Sequence, residues 1–432
     1  METAKNQKTE NKPLAEHITS RALDNSTLYE LLYDPSNHKT RLACWQNNKL
    51  EVKSSFKTID GKIIVPYRPE NPLLLQRIIL FPENIEEYSN DENLVNEVRL
   101  LIHRYVDVSE SFEIISTYYV LLSWVYDTFN EIPYLRLRGD YGSGKTRFLQ
   151  TVGSLCYKPI FASGASTVAP LFHILDQVGG TLVLDESDFR FSDEKADIAK
   201  ILNCGNAKGF PVLRCEKINQ REFAPRAYIV FSPKIVASRN DFDDIALESR
   251  FISEETGLRK VRDDIPVTLP ENFQEETLRI RNKLLLWRFR NFTKKRFPQA
   301  HFDPKLDRRT NQIYGPLLSL VADAKIRARI IEVAKIHGDQ LRMDRGFMAE
   351  ADVLRAIKEC YSDSHNSVAI SQITKFFSEK FGHQYDQRIT PKWIGIIIRK
   401  KLRLSTRKSN GVYILSENQK MKLKRLYQKY DV

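Results

Sequence analysis

The chain has 432 residues, 42% of them apolar, and carries 67 lysines and arginines against 55 acids, a net charge of +12 with a sequence pI near 9.3. That apolar content excludes a disordered or fibrous chain and leaves room for about three domains, while the basic excess points to a polyanion partner, nucleic acid first. Five scattered cysteines with no C-x-x-C pair exclude a disulfide framework and a structural zinc, and point to a reducing, cytoplasmic compartment.

Residues 1–12 are polar and charged, a disordered tail without the apolar run of a signal peptide. Residues 13–90 hold short apolar runs such as Lys62-Ile63-Ile64-Val65, cut by Pro66, Pro69, Pro72 and Pro82, and are expected to form a small N-terminal module without a chemical motif. Two helices are expected near 91–106 and 110–130. The longest apolar stretch, Phe112 to Tyr126, contains Glu113, Ser116, Thr117 and Ser123, too short and too polar for a bilayer, so it reads as a core helix and no membrane partner is expected. A strand follows from Pro133 to Arg138, with Leu135 and Leu137 in alternation.

Directly after it, Gly139-Asp140-Tyr141-Gly142-Ser143-Gly144-Lys145-Thr146 matches G-x-x-x-x-G-K-[ST] at every fixed position and leads into a helix at Arg147 to Val152. Glycines let backbone N–H groups turn inward around a phosphate chain, and the helix N-terminus adds its positive partial charge. Lys145 would reach the β- and γ-phosphates of a nucleoside triphosphate, and the Thr146 hydroxyl would hold Mg²⁺. About forty residues on, Gly179 to Leu184 reads as a turn and a strand buried on both faces, ending in Asp185 and Glu186. Asp185 would hold Mg²⁺ through its water shell, and Glu186 would orient or deprotonate the attacking water, which favours hydrolysis of ATP over transfer to a metabolite.

Two further runs, Gly209 to Lys217 and Arg221 to Phe231, read as a projecting hairpin turning at Ile218-Asn219-Gln220, with Lys217 and Arg221 near its tip as DNA contacts or as the charges of a solvated turn. Ser232 would close a core strand near the nucleotide and sense its γ-phosphate. Arg250, in Glu248-Ser249-Arg250-Phe251, is the candidate for a guanidinium supplied to a neighbouring subunit's nucleotide, against a structural salt bridge to Glu248 or Asp244. Alternation of strands and helices from Pro133 to about Phe251 implies a three-layer α/β core. The pattern turns helical around 271–340, a lid from whose side Arg308 and Arg309 would touch the nucleotide.

Near the C-terminus, amphipathic helices begin at Ala369 and at Thr390-Pro391, the second with Thr390 as N-cap. A hairpin follows, Leu402 to Arg407 and Gly411 to Leu415. Helix, helix and basic two-stranded wing is a winged-helix arrangement, whose second helix would enter a major groove. From Asn366 onward fifteen residues are basic and four acidic, and Lys392, Arg399, Lys400, Lys401, Arg407 and Lys408 are the candidate DNA contacts. A protein-binding or packing role for the same fold stands beside that reading.

The loop Gly139–Thr146, the strand end Leu184-Asp185-Glu186, the hairpin and the Ser249-Arg250-Phe251 triplet together resemble an AAA+ ATPase, closest to minichromosome-maintenance and superfamily 3 viral helicases. From Arg308 the pattern Arg-Arg followed by Pro316-Leu317-Leu318 and Ala322-Asp323 is similar to a C-terminal domain of phage, plasmid and genomic-island helicase–primase proteins. The resemblance implies a three-layer AAA+ core (91–256), a helical lid (257–345), a C-terminal winged helix (346–432) and a homo-oligomeric ring such as a hexamer. The expected function is a DNA-dependent ATPase acting as a helicase or translocase in mobile-element replication. A DNA-bound regulatory ATPase, an initiator or loader that switches assembly state without unwinding, is the competing expectation.

Overall fold

A computed structural model describes residues 15–432 except 24–25, 59, 164–167, 186–191, 218–222, 243, 258–259, 293–300, 347–348, 364–367, 383–384, 386–387, 410 and 417–418, with only the backbone given for a few residues inside elements. Its contacts divide it into two compact units, Met1–Val333 and Ala334–Val432, the division falling inside the helix Ala324–Gly346.

The first unit opens with an antiparallel four-stranded sheet in the order Ser20–Ala22, β1 (Thr27–Asp34), β2 (Lys39–Gln46) and Lys49–Lys53. Helix α1 (Asp91–Tyr105) starts at Asn90, whose side chain accepts from Asn93 N, and α2 (Glu110–Val125) starts at Ser109, whose side chain accepts from Phe112 N. Residues Phe112 to Val125 of α2 are all buried, which accounts for its nearly unbroken apolar sequence. No described helix is long and apolar enough to cross a membrane.

The centre of this unit is a five-stranded, wholly parallel sheet. Its strands are β3 (Tyr134–Arg138), β4 (Ile160–Ser163), β5 (Leu182–Asp185), and, after the antiparallel hairpin β6 (Val212–Lys217) and β7 (Phe223–Tyr228), β8 (Lys234–Ser238) and β9 (Phe251–Glu255). The spatial order is β9-β3-β8-β5-β4. Helix α3 (Lys145–Leu155) lies on one face, so close that a Cβ on Gly153 would stand 3.0 Å from the Val183 side chain. Leu182 and Leu184, alternating with Val183, point to the other face and pack with Leu171, Phe172, Leu175, Ile198 and Ile201 of the helices Val168–Val178 and Ser192–Cys204. Helices therefore cover both faces, the layering expected of buried parallel strands. Helices α4 (Phe273–Phe292) and α5 (Arg308–Leu318) follow.

The second unit is built from α6 (Ala349–Asp363), α7 (Ile370–Phe381), α8 (Pro391–Ile396, continued by a wider turn through Lys401), the hairpin β10 (Thr406–Ser409) and β11 (Val412–Leu415), and α9 (Lys420–Tyr430). Thr390 accepts from Trp393 N at 3.2 Å, with Pro391 as the next residue. Leu354, Ile373, Phe377, Ile394, Ile398 and Leu415 share one core. Leu402 and Leu404 belong to it too, so the first strand of the hairpin begins at Thr406, four residues later than the sequence pattern suggests: the apolar alternation there serves packing.

Candidate functional site

Strand β3 delivers the glycine-rich loop to the C-terminal edge of the parallel sheet. Gly139 N donates to Ser238 O at 3.2 Å, and Thr256, just beyond β9, donates through its N to Arg138 O at 2.7 Å and through Oγ1 to Ser143 O at 2.9 Å. Strands on both sides of β3 thus fix both ends of the loop. A Cβ at Gly139 would come within 2.6 Å of Thr256 O, and Gly142 and Gly144 have φ of 72° and 87°, left-handed values that favour glycine. Gly144 is the cap of α3, so the helix's first N–H groups, which have no intrahelical acceptor, begin directly at the loop.

Lys145 is 6% exposed, and its Nζ donates to Gly139 O at 2.5 Å and Asp140 O at 2.6 Å. Burial, and next the nearby Arg239 charge, push its pKa below the ordinary lysine value. Thr146 Oγ1 donates to Asp185 Oδ2 at 3.2 Å, although 39 residues separate them. A hydroxyl and a carboxylate side by side at a phosphate-binding loop form a hard oxygen donor set suited to Mg²⁺. Glu186 lies outside the described residues.

Because β8 is inserted between β3 and β5, the residues that leave its C-terminal end, Ser238, Arg239 and Asn240, fall between the loop and Asp185. The Arg239 guanidinium stands 3.7 Å from the centre of the Tyr141 ring, and its buried Nε makes no hydrogen bond among the described residues. Sequence reading missed Arg239 and Asn240. The signal was available: Ile235-Val236-Ala237 is an apolar run ending in polar residues, as Leu182-Val183-Leu184 ends in Asp185. Ser232, the residue expected there, is corrected by the structure. It precedes β8, at the opposite edge of the sheet, where its N donates to Gly205 O and its own O accepts from the buried Lys234 Nζ at 2.9 Å. The strand alone sets it about 13 Å or more from the loop end.

Arg250 lies at that opposite edge as well. Its O accepts from Tyr134 N at 2.9 Å, at the start of β3, and its Nη1 donates to Asn203 Oδ1. Glu248, considered above as its salt-bridge partner, instead takes two hydrogen bonds from the buried Arg136 guanidinium. Arg309 donates through Nε and Nη2 to Ser249 Oγ at 3.1 and 2.9 Å, and it lines one crevice with Arg250. Arg309 and the exposed Arg308 beside it, expected to reach the nucleotide from the lid, therefore stand with Arg250 away from their own chain's loop.

In the hairpin β6–β7 the backbone of Lys217 pairs with Phe223, while the Lys217 side chain and Arg221 lie outside the described residues. Arg214 stands 4.0 Å over the Phe172 ring and Ile229 N donates to Asp176 Oδ1 at 2.9 Å, so the hairpin's base is tied to the helix Val168–Val178. In the second unit Lys392, Arg399, Lys400, Lys401, Arg407 and Lys408 are all exposed. Lys408 pairs in register with Tyr413, and the Arg399 guanidinium lies 5.7 Å from the Tyr413 ring, which brings the end of α8 and the hairpin to one face. Lys401 is 4.0 Å from Glu350.

No protein-family model matches the chain, and no curated protein does. Among solved structures the chain is similar to the apo C-terminal region of NrS-1, 13% identical over 90% of this chain and 96% of that one, with a TM-score of 0.36. It is also similar to a full-length MCM homolog from Methanopyrus kandleri, 11% identical over 73% and 75% of the two chains, TM-score 0.33. The Aeropyrum pernix ORC1 protein in complex with DNA is 14% identical over 77% and 95%, TM-score 0.22. Likenesses this distant add no weight to the geometry, in which the loop, the strand order and the Thr146–Asp185 contact define a P-loop core.

Proposed function

We propose that the chain is a DNA-dependent ATP hydrolase of the AAA+ type that works as a ring-forming helicase or translocase in the replication of a mobile element. The observation that carries the reading is the split between two edges of one sheet. Lys145, Thr146 and Asp185 converge at the C-terminal edge, whereas Arg250 and Arg309 sit at the other, out of reach of that site. An arginine that its own nucleotide cannot use is accounted for when a second copy presents its loop to it, which makes the functional unit an oligomer, closed into a ring by repetition of one heterologous contact.

In this reading residues 91–256 are the ATPase core, 257–345 the lid and 346–432 a winged helix. Lys145 and the loop's N–H groups hold the β- and γ-phosphates. Thr146 and Asp185 hold Mg²⁺, which supplies charge neutralisation on the phosphate oxygens. Glu186 takes the proton of the attacking water, and the neighbour's Arg250 stabilises the charge that builds on the γ-phosphoryl oxygens. Lys217, at the projecting end of the β6–β7 hairpin, grips the strand in a central channel, and the basic face around Arg399 and Lys408 holds duplex. Measuring ATP turnover with and without single- and double-stranded DNA, beside strand displacement, tests the proposal. DNA-stimulated turnover with displacement supports it; stimulation without displacement makes the protein a loader or initiator; turnover indifferent to DNA overturns both.

A further inference from the structure

At the far end of the phosphate-loop helix, away from the loop, lies a cleft of about 620 Å³, within the size range of small-molecule sites. Tyr33 and Phe81 from the N-terminal part of the chain, Gln150 and Ser154 of α3, and Phe273 and Leu278 of α4 line it. Two guanidinium groups enter this largely carbon-lined space. Arg281 is 5% exposed; one of its terminal nitrogens donates to Ser154 O at 2.8 Å, and its buried Nε has no hydrogen-bond partner among the described residues. Arg77, exposed at the mouth, is held by a hydrogen bond to Gln274.

Buried cations are ordinarily paired with a carboxylate, and Arg281 has none among the described residues. Burial pushes its pKa down and the positive charge of Arg77 pushes it further, to about 9, so it stays charged at neutral pH. Two acids stand on the cleft wall among the described residues, and neither is paired with Arg281. Glu275 is paired with Arg279 at 2.6 Å. Glu83 is raised in pKa by its own burial and by Asp34, with no pull from Arg281. The carbonyl end of α3 offsets part of the Arg281 charge but leaves Nε without an acceptor.

We propose that this cleft binds a small organic anion, with an apolar body against the aromatic and aliphatic walls and a single carboxylate or phosphate group between Arg281 and Arg77. Two guanidinium forks on one anion give short, charge-assisted hydrogen bonds that also fix its orientation. The site is separate from the nucleotide loop and stands whether or not the chain hydrolyses ATP.

The test uses the full-length protein with octanoate and octyl phosphate as probes and octan-1-ol as their uncharged counterpart, followed by calorimetric titration and thermal melting. One saturable site for an anionic probe, with a rise in melting temperature that octan-1-ol does not produce, is expected. Arg281→Met keeps the apolar volume and removes the charge; it should weaken anion binding by about tenfold or more. Should that variant fail to fold, Arg77→Met at the exposed mouth reads the same interaction, with a loss of roughly threefold or more. The stronger of the two anionic probes identifies the head group. Equal binding of octan-1-ol, unchanged anion affinity in the folded variants, or no saturable binding of either anion would overturn the proposal.

Discussion

Lys145 is tethered to two carbonyls of its own loop and is deprived of solvent, so a phosphate chain that replaces those carbonyls gains a strong, directed charge. Lys145→Ala should weaken ATP binding by about tenfold or more, read by titration with a fluorescent nucleotide, while Glu186→Gln keeps binding and lowers turnover by about a hundredfold or more. Full turnover by the Glu186→Gln protein would remove that residue from the mechanism. Arg239 adds a test that sequence alone did not suggest. It stands between the loop and Asp185, stacked on Tyr141, with no ion pair among the described residues. Arg239→Ala is expected to weaken ATP by roughly tenfold and ADP far less, because only the outermost phosphate reaches it. Equal losses for the two nucleotides would make Arg239 a prop for Tyr141 instead.

At the scale of elements, the N-terminal sheet is bound to the core by a buried charge network. Glu30 in β1 accepts from Arg288 Nε in α4 at 2.8 Å and from the Tyr157 hydroxyl at 2.7 Å, and Arg288 reaches on to Asp127 at 2.7 Å. Glu30 and the Arg288 side chain are almost wholly excluded from water. Removing one partner strands a buried charge, so Glu30→Ala should cost about 3–5 kcal/mol of stability in urea unfolding. The double variant Glu30→Ala with Arg288→Met should recover part of that loss, since it removes the buried guanidinium and leaves only Lys158, 3.5 Å from Glu30, without its carboxylate. A double variant no more stable than the single one would show that shape, not charge, holds the strand to the helix.

At the scale of the whole molecule, the two-edge arrangement of Lys145 and Arg250 predicts behaviour that one copy cannot show. Mixing Arg250→Ala protein with Glu186→Gln protein should restore part of the turnover, because some interfaces then pair an intact Glu186 with an intact Arg250. No recovery from two well-folded, co-assembling variants would place Arg250 in a structural role with Asn203. The basic face of the second unit carries the other prediction. Duplex affinity should fall with salt by about 0.9 log unit per phosphate contact for each log unit of salt. Replacing Lys392, Lys400, Arg407 and Lys408 by alanine should flatten that slope and leave turnover without DNA unchanged. An unaltered slope, measured by fluorescence anisotropy, would assign this face to protein contacts.

What the sequence determined by itself was whatever depends on neighbours along the chain. The loop Gly139–Thr146, the strand before it and the helix after it form one contiguous unit, and the caps at Asn90, Ser109 and Thr390 act within three residues of themselves. The buried run ending at Asp185 was legible for the same reason, since a strand covered on both faces must be apolar throughout. Which strands lie side by side was not legible, because parallel pairing joins segments a hundred residues apart and Ile235-Val236-Ala237 reads the same at any place in the sheet. Only the tertiary structure inserted β8 between β3 and β5, and that one choice moved the site away from Ser232 and brought Arg239 and Asn240 to it. It likewise set Arg309 on Ser249, and Arg281 in one cleft with Arg77, paired with no carboxylate among the described residues. Those contacts join residues 60 and about 200 positions apart, a separation at which only packing decides which charges meet.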